Sequence, residues 1–284
     1  MANSTVMATR NFMDLVQARW NAGRTISVGL DPEPARLPAN VRNLPLDDGI
    51  VAFLGEVIEA TADLAAAYKP NAAFFEALGN SGTEILERVI AIVHEVAPDV
   101  PVILDAKRAD IGNTNEKYAT AVFDFLECDA VTVHPYLGPE AMQPFLDRKD
   151  KGIIVLARTS NPGSGRYQDL SVNGRPLYQH IAQDVADHWN GNGNCGLVVG
   201  ATYPEEMKAV REVAPGVLIL VPGLGAQGGD VAATVQNGMD ANGNGLLLHA
   251  GRSILYAFEN GKPTDEASAA AIKELHDEIT AARP

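Results

Sequence analysis

The chain has 284 residues, 46% apolar and 20% charged, which is enough to bury a large core and rules out disorder as its main state. Its 22 basic and 36 acidic residues leave a formal charge of −14, which argues against broad binding to nucleic acid or anionic membrane. Any anionic ligand must then be held by a local site.

The stretch from Met1 to Gly23 places Asp14 and Arg19 among its apolar residues, so it reads as a helix and lacks the continuous apolar core of a signal peptide. No later run reaches the ~18 apolar residues of a membrane-spanning helix. Cys128 and Cys195 form neither a metal-spaced pair nor a disulfide framework, so a reducing cytoplasm is the expected location.

Short runs rich in Val, Ile and Leu then recur at Ile26–Leu30, Ala66–Lys69, Val100–Asp105, Ala130–His134, Gly152–Ala157, Gly196–Gly200, Val217–Val221 and Gly245–His249. Each is followed by a turn and a helical pattern, the signature of repeated βα units. Their spacing of about 31 residues is close to one eighth of a ~250-residue barrel. The reading is one α/β domain over 1–284, a single (β/α)8 barrel with an N-terminal helix. A doubly wound open sheet is the competing architecture, because strand runs alone do not show closure. Helix faces follow the expected period at Leu54, Val57, Ile58, Thr61 and Leu64, and at Ile85, Val89, Ile92 and Val93. Asp230 is placed to cap a helix that runs to Asn237, with Gly238 just after it.

The connections after strands one, five and seven are unusually long or glycine-rich, and barrel chemistry is built from such loops at the C-terminal ends of the strands. Strand three ends in Leu104-Asp105-Ala106-Lys107-Arg108-Ala109-Asp110-Ile111. Residues two apart on a strand share a face, so Asp105 and Lys107 can fix each other's ionised forms and set a proton donor beside a negative group. An ordinary ion pair capping a strand would look the same. However, strand one ends at Asp31 and strand two at Lys69, and a closed barrel converges all four charges.

The segment Pro222-Gly223-Leu224-Gly225-Ala226-Gln227-Gly228-Gly229-Asp230, with Gly251-Arg252-Ser253 after strand eight, fits the phosphate site that recurs after strands seven and eight of this fold. A phosphate held there is compatible with the acidic chain. Arg158-Thr159-Ser160-Asn161-Pro162-Gly163 offers hydroxyls for a polar ring or a lid, but no G-x-S-x-G elbow makes Ser160 a nucleophile. His134 and His249 lack metal-ligand spacing and read as core or rim histidines.

Together these segments resemble the orotidine 5′-phosphate decarboxylase family, in its longer bacterial-type branch, from about Ile26 to Ala257. The most specific element is D-x-K-x-x-D-I at Asp105, Lys107, Asp110 and Ile111, with Thr114 beyond. K-P-N at Lys69, T-S-N-P-G at Thr159 and G-R-S at Gly251 accompany it. The resemblance implies decarboxylation of orotidine 5′-phosphate to uridine 5′-phosphate in pyrimidine biosynthesis, with no metal or organic cofactor. It implies a charged network of Lys69, Asp105, Lys107 and Asp110, with Lys107 as proton donor to C6. Asp110, Ile111 and Thr114 would reach into the partner's site of a homodimer. Asp31 would bind the ribose hydroxyls, Ser160 the pyrimidine, and Gln227, Gly251 and Arg252 the phosphate. One departure is Leu-His-Ala before Gly251, after an extra polar turn at Asp240–Gly245.

Three other functions compete. Related barrels that act on acyclic sugar phosphates with magnesium carry an acidic residue where this chain has Lys69. A Schiff-base aldolase using Lys69 or Lys107, and a non-catalytic nucleotide sensor, are the others.

Overall fold

The computed structural model describes residues 10–224 and 229–283. Eight parallel strands form its centre: β1 Ile26–Gly29, β2 Ala65–Lys69, β3 Ile103–Arg108, β4 Ala130–Val133, β5 Gly152–Arg158, β6 Cys195–Val199, β7 Leu218–Val221 and β8 Leu246–Ala250. Each falls on a run expected from sequence. Hydrogen-bonded neighbours run β2-β1-β8-β7-β6-β5-β4-β3. The remaining seam, β2 to β3, closes through bridges Tyr68 to Val102 and Asn71 to Asp105. There Tyr68 N donates to Pro101 O at 2.9 Å and Asp105 N to Pro70 O at 2.9 Å. Pro70 and Pro101 have no N–H to give, so this seam has fewer bonds than the others, yet it closes. The barrel is therefore the architecture and the open sheet is not.

The barrel interior is filled by small and branched side chains, among them Ala66, Ile103, Ala130, Ile154, Leu218 and Leu247. The N-terminal helix Phe12–Asn21 packs Phe12, Val16 and Trp20 onto this interior. Trp20 Nε1 donates to Leu246 O at 2.8 Å. Gly152 is needed here, because a Cβ on it would stand 2.4 Å from the Phe12 ring. The helix plugs the end where the strands begin and leaves the end where they finish for chemistry.

Outside the strands, helix Leu46–Thr61 buries Leu54, Val57, Ile58 and Thr61, and helix Gly82–Val96 buries Ile85, Val89 and Val93. Leu64 and Ile92 are only half-buried. Helix Val231–Gly238 begins where expected, with the Asp230 side chain accepting from Ala233 N. None of the described helices is long and apolar enough to cross a membrane.

Two local features differ from the sequence reading. β3 runs three residues further than expected, to Arg108, through an irregularity between Leu104 and Arg108. The long connection after β5 carries a two-residue antiparallel ladder, Ser171–Val172 with Arg175–Pro176. Its turn residues Asn173 and Gly174 have φ of 51° and 80°, the left-handed pair that suits a tight hairpin.

Candidate active site

The ends of β1, β2 and β3 bring Asp31, Lys69, Asp105 and Lys107 together, as expected. Lys69 ends a fully buried strand, and its side chain is 4% exposed against 13% for Asp105. The Lys69 ammonium donates to Asp105 Oδ2 at 2.8 Å. Lys107 donates to the other oxygen, Oδ1, at 2.6 Å, and its side chain is 49% exposed. Thr132 donates from Oγ1 to Asp105 Oδ1 at 2.8 Å while accepting from Lys107 N at 3.0 Å. Burial alone would raise the Asp105 carboxyl, but the two ammonium groups outweigh it and hold the group below the usual carboxylate range. One buried anion therefore orients a buried cation and a half-open one.

Asp105 and Lys107 meet on one side of β3, as their two-residue spacing predicts. Lys107 has φ of 47°, in the left-handed region, and it lies within the irregular stretch of β3.

Asp31 Oδ1 accepts from Asn71 N at 3.0 Å. Burial raises its carboxyl above the usual range, against the opposing pull of Lys69 and the Asn71 bond. Gly29 and Gly251 let β1 and β8 meet: a Cβ on Gly29 would stand 2.7 Å from Gly251 Cα. A cleft of about 210 Å³ at this end is lined by Asp31, Lys69, Asn71, Asp105, His249 and Arg252. A larger cleft of about 580 Å³ lies beside Asn113, Glu116 and Gln143 on the outer helices, away from these strand ends. The converging charges, not the size, identify the first.

Gly251 and the exposed Arg252, at the start of helix Arg252–Leu255, border the cleft. Gln227 lies outside the described residues. His249 Nδ1 is 3.1 Å from Ser27 O. A carbonyl only accepts, so Nδ1 carries the proton and Nε2 is an acceptor. Burial, then the Lys69 charge, keeps the ring neutral, which suits the rim role. His134 is half-buried and lies at the end of β4.

Ser160 is half-buried in the loop after β5, where its carbonyl accepts from Thr202 Oγ1 at 3.4 Å; it does not line the cleft. Asp110 accepts from Ile111 N at 2.7 Å. Asn115 holds the same turn from both sides, accepting from Asp110 N and donating to Asp110 O. Among the described residues Asp110 forms no ion pair with Lys69 or Lys107 of its own chain. Ile111 is 61% exposed, and Thr114 sits half-buried on helix Gly112–Ala119.

Two contributors were given no role of their own in the sequence reading. Thr132 is a hydroxyl inside an otherwise apolar strand run, a signal that was available. Arg158 is buried at the end of β5, where it pairs with Asp169 at 2.9 Å, reaches Ser164 Oγ, and lies 3.9 Å over the Tyr203 ring. It ties down the loop that carries Ser160.

Comparison with known proteins places the chain in a family. The chain is 47% identical over 265 residues to orotidine 5′-phosphate decarboxylase of Janthinobacterium sp. (strain Marseille), covering 93% of this chain and 94% of that one. The solved Leishmania donovani OMP decarboxylase superposes with a TM-score of 0.83 at 40% identity, covering 96% and 98% of the two chains. The Leishmania donovani UMP synthase gives 0.86 at 42% identity over 96% of this chain, which spans 57% of that protein's length. Residues 25–269 match the model of the orotidine 5′-phosphate decarboxylase / HUMPS family, and the chain belongs to that family.

Proposed function

We propose that this protein decarboxylates orotidine 5′-phosphate to uridine 5′-phosphate, a step in pyrimidine biosynthesis, without a metal ion and with Lys107 as proton donor. The observation that carries this reading is the Asp105 carboxylate held between the buried Lys69 and the half-exposed Lys107 at the barrel mouth.

In the reaction the bond from C6 to the carboxylate breaks, its electron pair stays on C6, and CO2 leaves. Catalysis requires that this carbanion-like charge be stabilised more than the substrate is. The Lys107 ammonium does this as a fixed cation and then transfers a proton to C6, becoming an amine that solvent reprotonates. Asp105 holds it in place, and Lys69 keeps Asp105 ionised in a buried setting. Asp31 takes the ribose hydroxyls and Ser160 the pyrimidine. Gln227, Gly251 and Arg252 take the phosphate, whose remote binding energy aligns the network. Asp110, Ile111 and Thr114 complete the site of a partner subunit, and the exposure of Ile111 supports that placement. Lys69, an ammonium where magnesium-dependent relatives carry an acid, favours the metal-independent reaction over sugar-phosphate chemistry.

The test is turnover of orotidine 5′-phosphate in heavy water with EDTA present. The expected product is uridine 5′-phosphate with deuterium at C6, at the rate seen without chelator. Loss of activity in EDTA, restored by magnesium, would reverse the assignment.

A further inference from the structure

A buried tyrosine from the far end of the chain holds the loop that presents Asp31. Tyr256 is 4% exposed. Its hydroxyl donates to Asp31 O at 3.1 Å and accepts from Glu33 N at 2.7 Å, so it spans Pro32 from both sides. Pro32 has no N–H of its own to fasten the turn. The neighbouring backbone bonds are Leu30 N to Lys69 O on one side and Arg36 N to Glu33 O on the other. Between them the segment is fastened by Tyr256 and by the Asn71 amide on the Asp31 carboxylate.

The tyrosine is itself held rigidly. Arg36 lies 3.6 Å over its ring and pairs with Glu259 at 2.8 Å, and Phe53 stacks on it at 5.9 Å between centroids. Its backbone N donates to Arg252 O at 3.0 Å, so the residue that ends the Arg252 turn also straps the Asp31 turn.

We propose that Tyr256 is a positioning residue for ribose recognition: its hydroxyl fixes the turn that presents the Asp31 carboxylate to the cleft that Arg252 also lines. The inference rests on the reading of Asp31 and Arg252 as the ribose and phosphate contacts. The ligand class is a nucleotide carrying a free ribose diol. Removing the hydroxyl alone leaves ring, stacking and cation contact in place, and leaves Asp31 O and Glu33 N unpaired at the turn.

The experiment titrates wild type and Tyr256→Phe with uridine 5′-phosphate and with its 2′,3′-dideoxy analogue, beside wild-type turnover of orotidine 5′-phosphate. Tyr256→Phe should lose about 10-fold in affinity for uridine 5′-phosphate and less than about 2-fold for the analogue. In an Asp31→Asn background it should cause no further loss. If Tyr256→Phe does not fold, Pro32→Gly loosens the same turn and should show the same preference in its losses. Equal losses on both ligands, no loss on either, or additive loss with Asp31→Asn would overturn the proposal. So would a wild type that does not distinguish the ligands. Wild type inactive on orotidine 5′-phosphate, with the selective loss retained, would overturn the decarboxylase reading and leave the tyrosine's role standing.

Discussion

The Lys107 ammonium stands 2.6 Å from Asp105 Oδ1 although Lys107 has left-handed backbone, with φ of 47°. The same carboxylate also holds the buried Lys69 at 2.8 Å. Asp105→Asn would leave two ammonium groups facing one neutral amide, one of them in a buried site. The expected loss is about 3–5 kcal/mol in urea unfolding at pH 7. The folded Asp105 carboxyl lies below its ordinary value of 3.8. Its contribution is therefore full above that value and is lost as pH falls beneath it. The wild type should lose stability steeply below pH 4, and Asp105→Asn should flatten that limb. An unchanged acid limb would show that the pair is not stabilising.

Asp31 has the opposite sign. Burial raises its folded carboxyl above 3.8, so its contribution is greatest below 3.8 and is lost as pH rises through the folded value. Above the folded value the carboxylate weakens the unliganded fold. Asp31→Asn, which can still accept from Asn71 N, should raise the thermal midpoint at pH 7 while weakening uridine 5′-phosphate binding about 10-fold. A lowered midpoint at pH 7 would mean that other contacts of the carboxylate dominate.

Trp20 tests the plug at the other end. Trp20→Ala opens a cavity against the barrel interior and should cost about 3–5 kcal/mol. Trp20→Phe loses mainly the bond to Leu246 O and should cost about 1–2 kcal/mol. Turnover per folded molecule should change little in Trp20→Phe, since the charged network lies at the opposite end. A large fall in kcat with the fold intact would contradict that separation.

The proposed sharing of the site between two subunits is tested by mixing them. Asp110→Ala and Lys107→Ala proteins should each be inactive as homodimers. Refolding them together at equal amounts should restore about one quarter of wild-type activity, because each hybrid has one intact site. A mixture that regains nothing would place Asp110 in its own subunit's chemistry.

All eight barrel strands were legible because parallel strands buried on both faces need nearly continuous apolar runs. Asp31, Lys69 and Asp105 were legible because charges at the ends of three consecutive runs converge in a closed barrel. Closure was expected from the spacing of the runs, but the two bridges beside Pro70 and Pro101 that complete it carried no signal of their own. The left-handed backbone of Lys107 was hidden because an Asp-x-Lys spacing looks the same with or without it. Asn173-Gly174 did carry a hairpin signal, lost inside a long polar loop. Tyr256 carried none, because its partners, Asp31 and Glu33, are far away in sequence and are touched through backbone atoms.

The most direct measurement is the absorbance loss of orotidine 5′-phosphate with purified wild type in EDTA, run beside Lys107→Ala. Rapid conversion to uridine 5′-phosphate, reduced at least about 1,000-fold in the variant while product binding persists, is the expected result. Comparable turnover by folded Lys107→Ala, or no turnover by folded wild type, would contradict Lys107 as the group that stabilises and protonates C6.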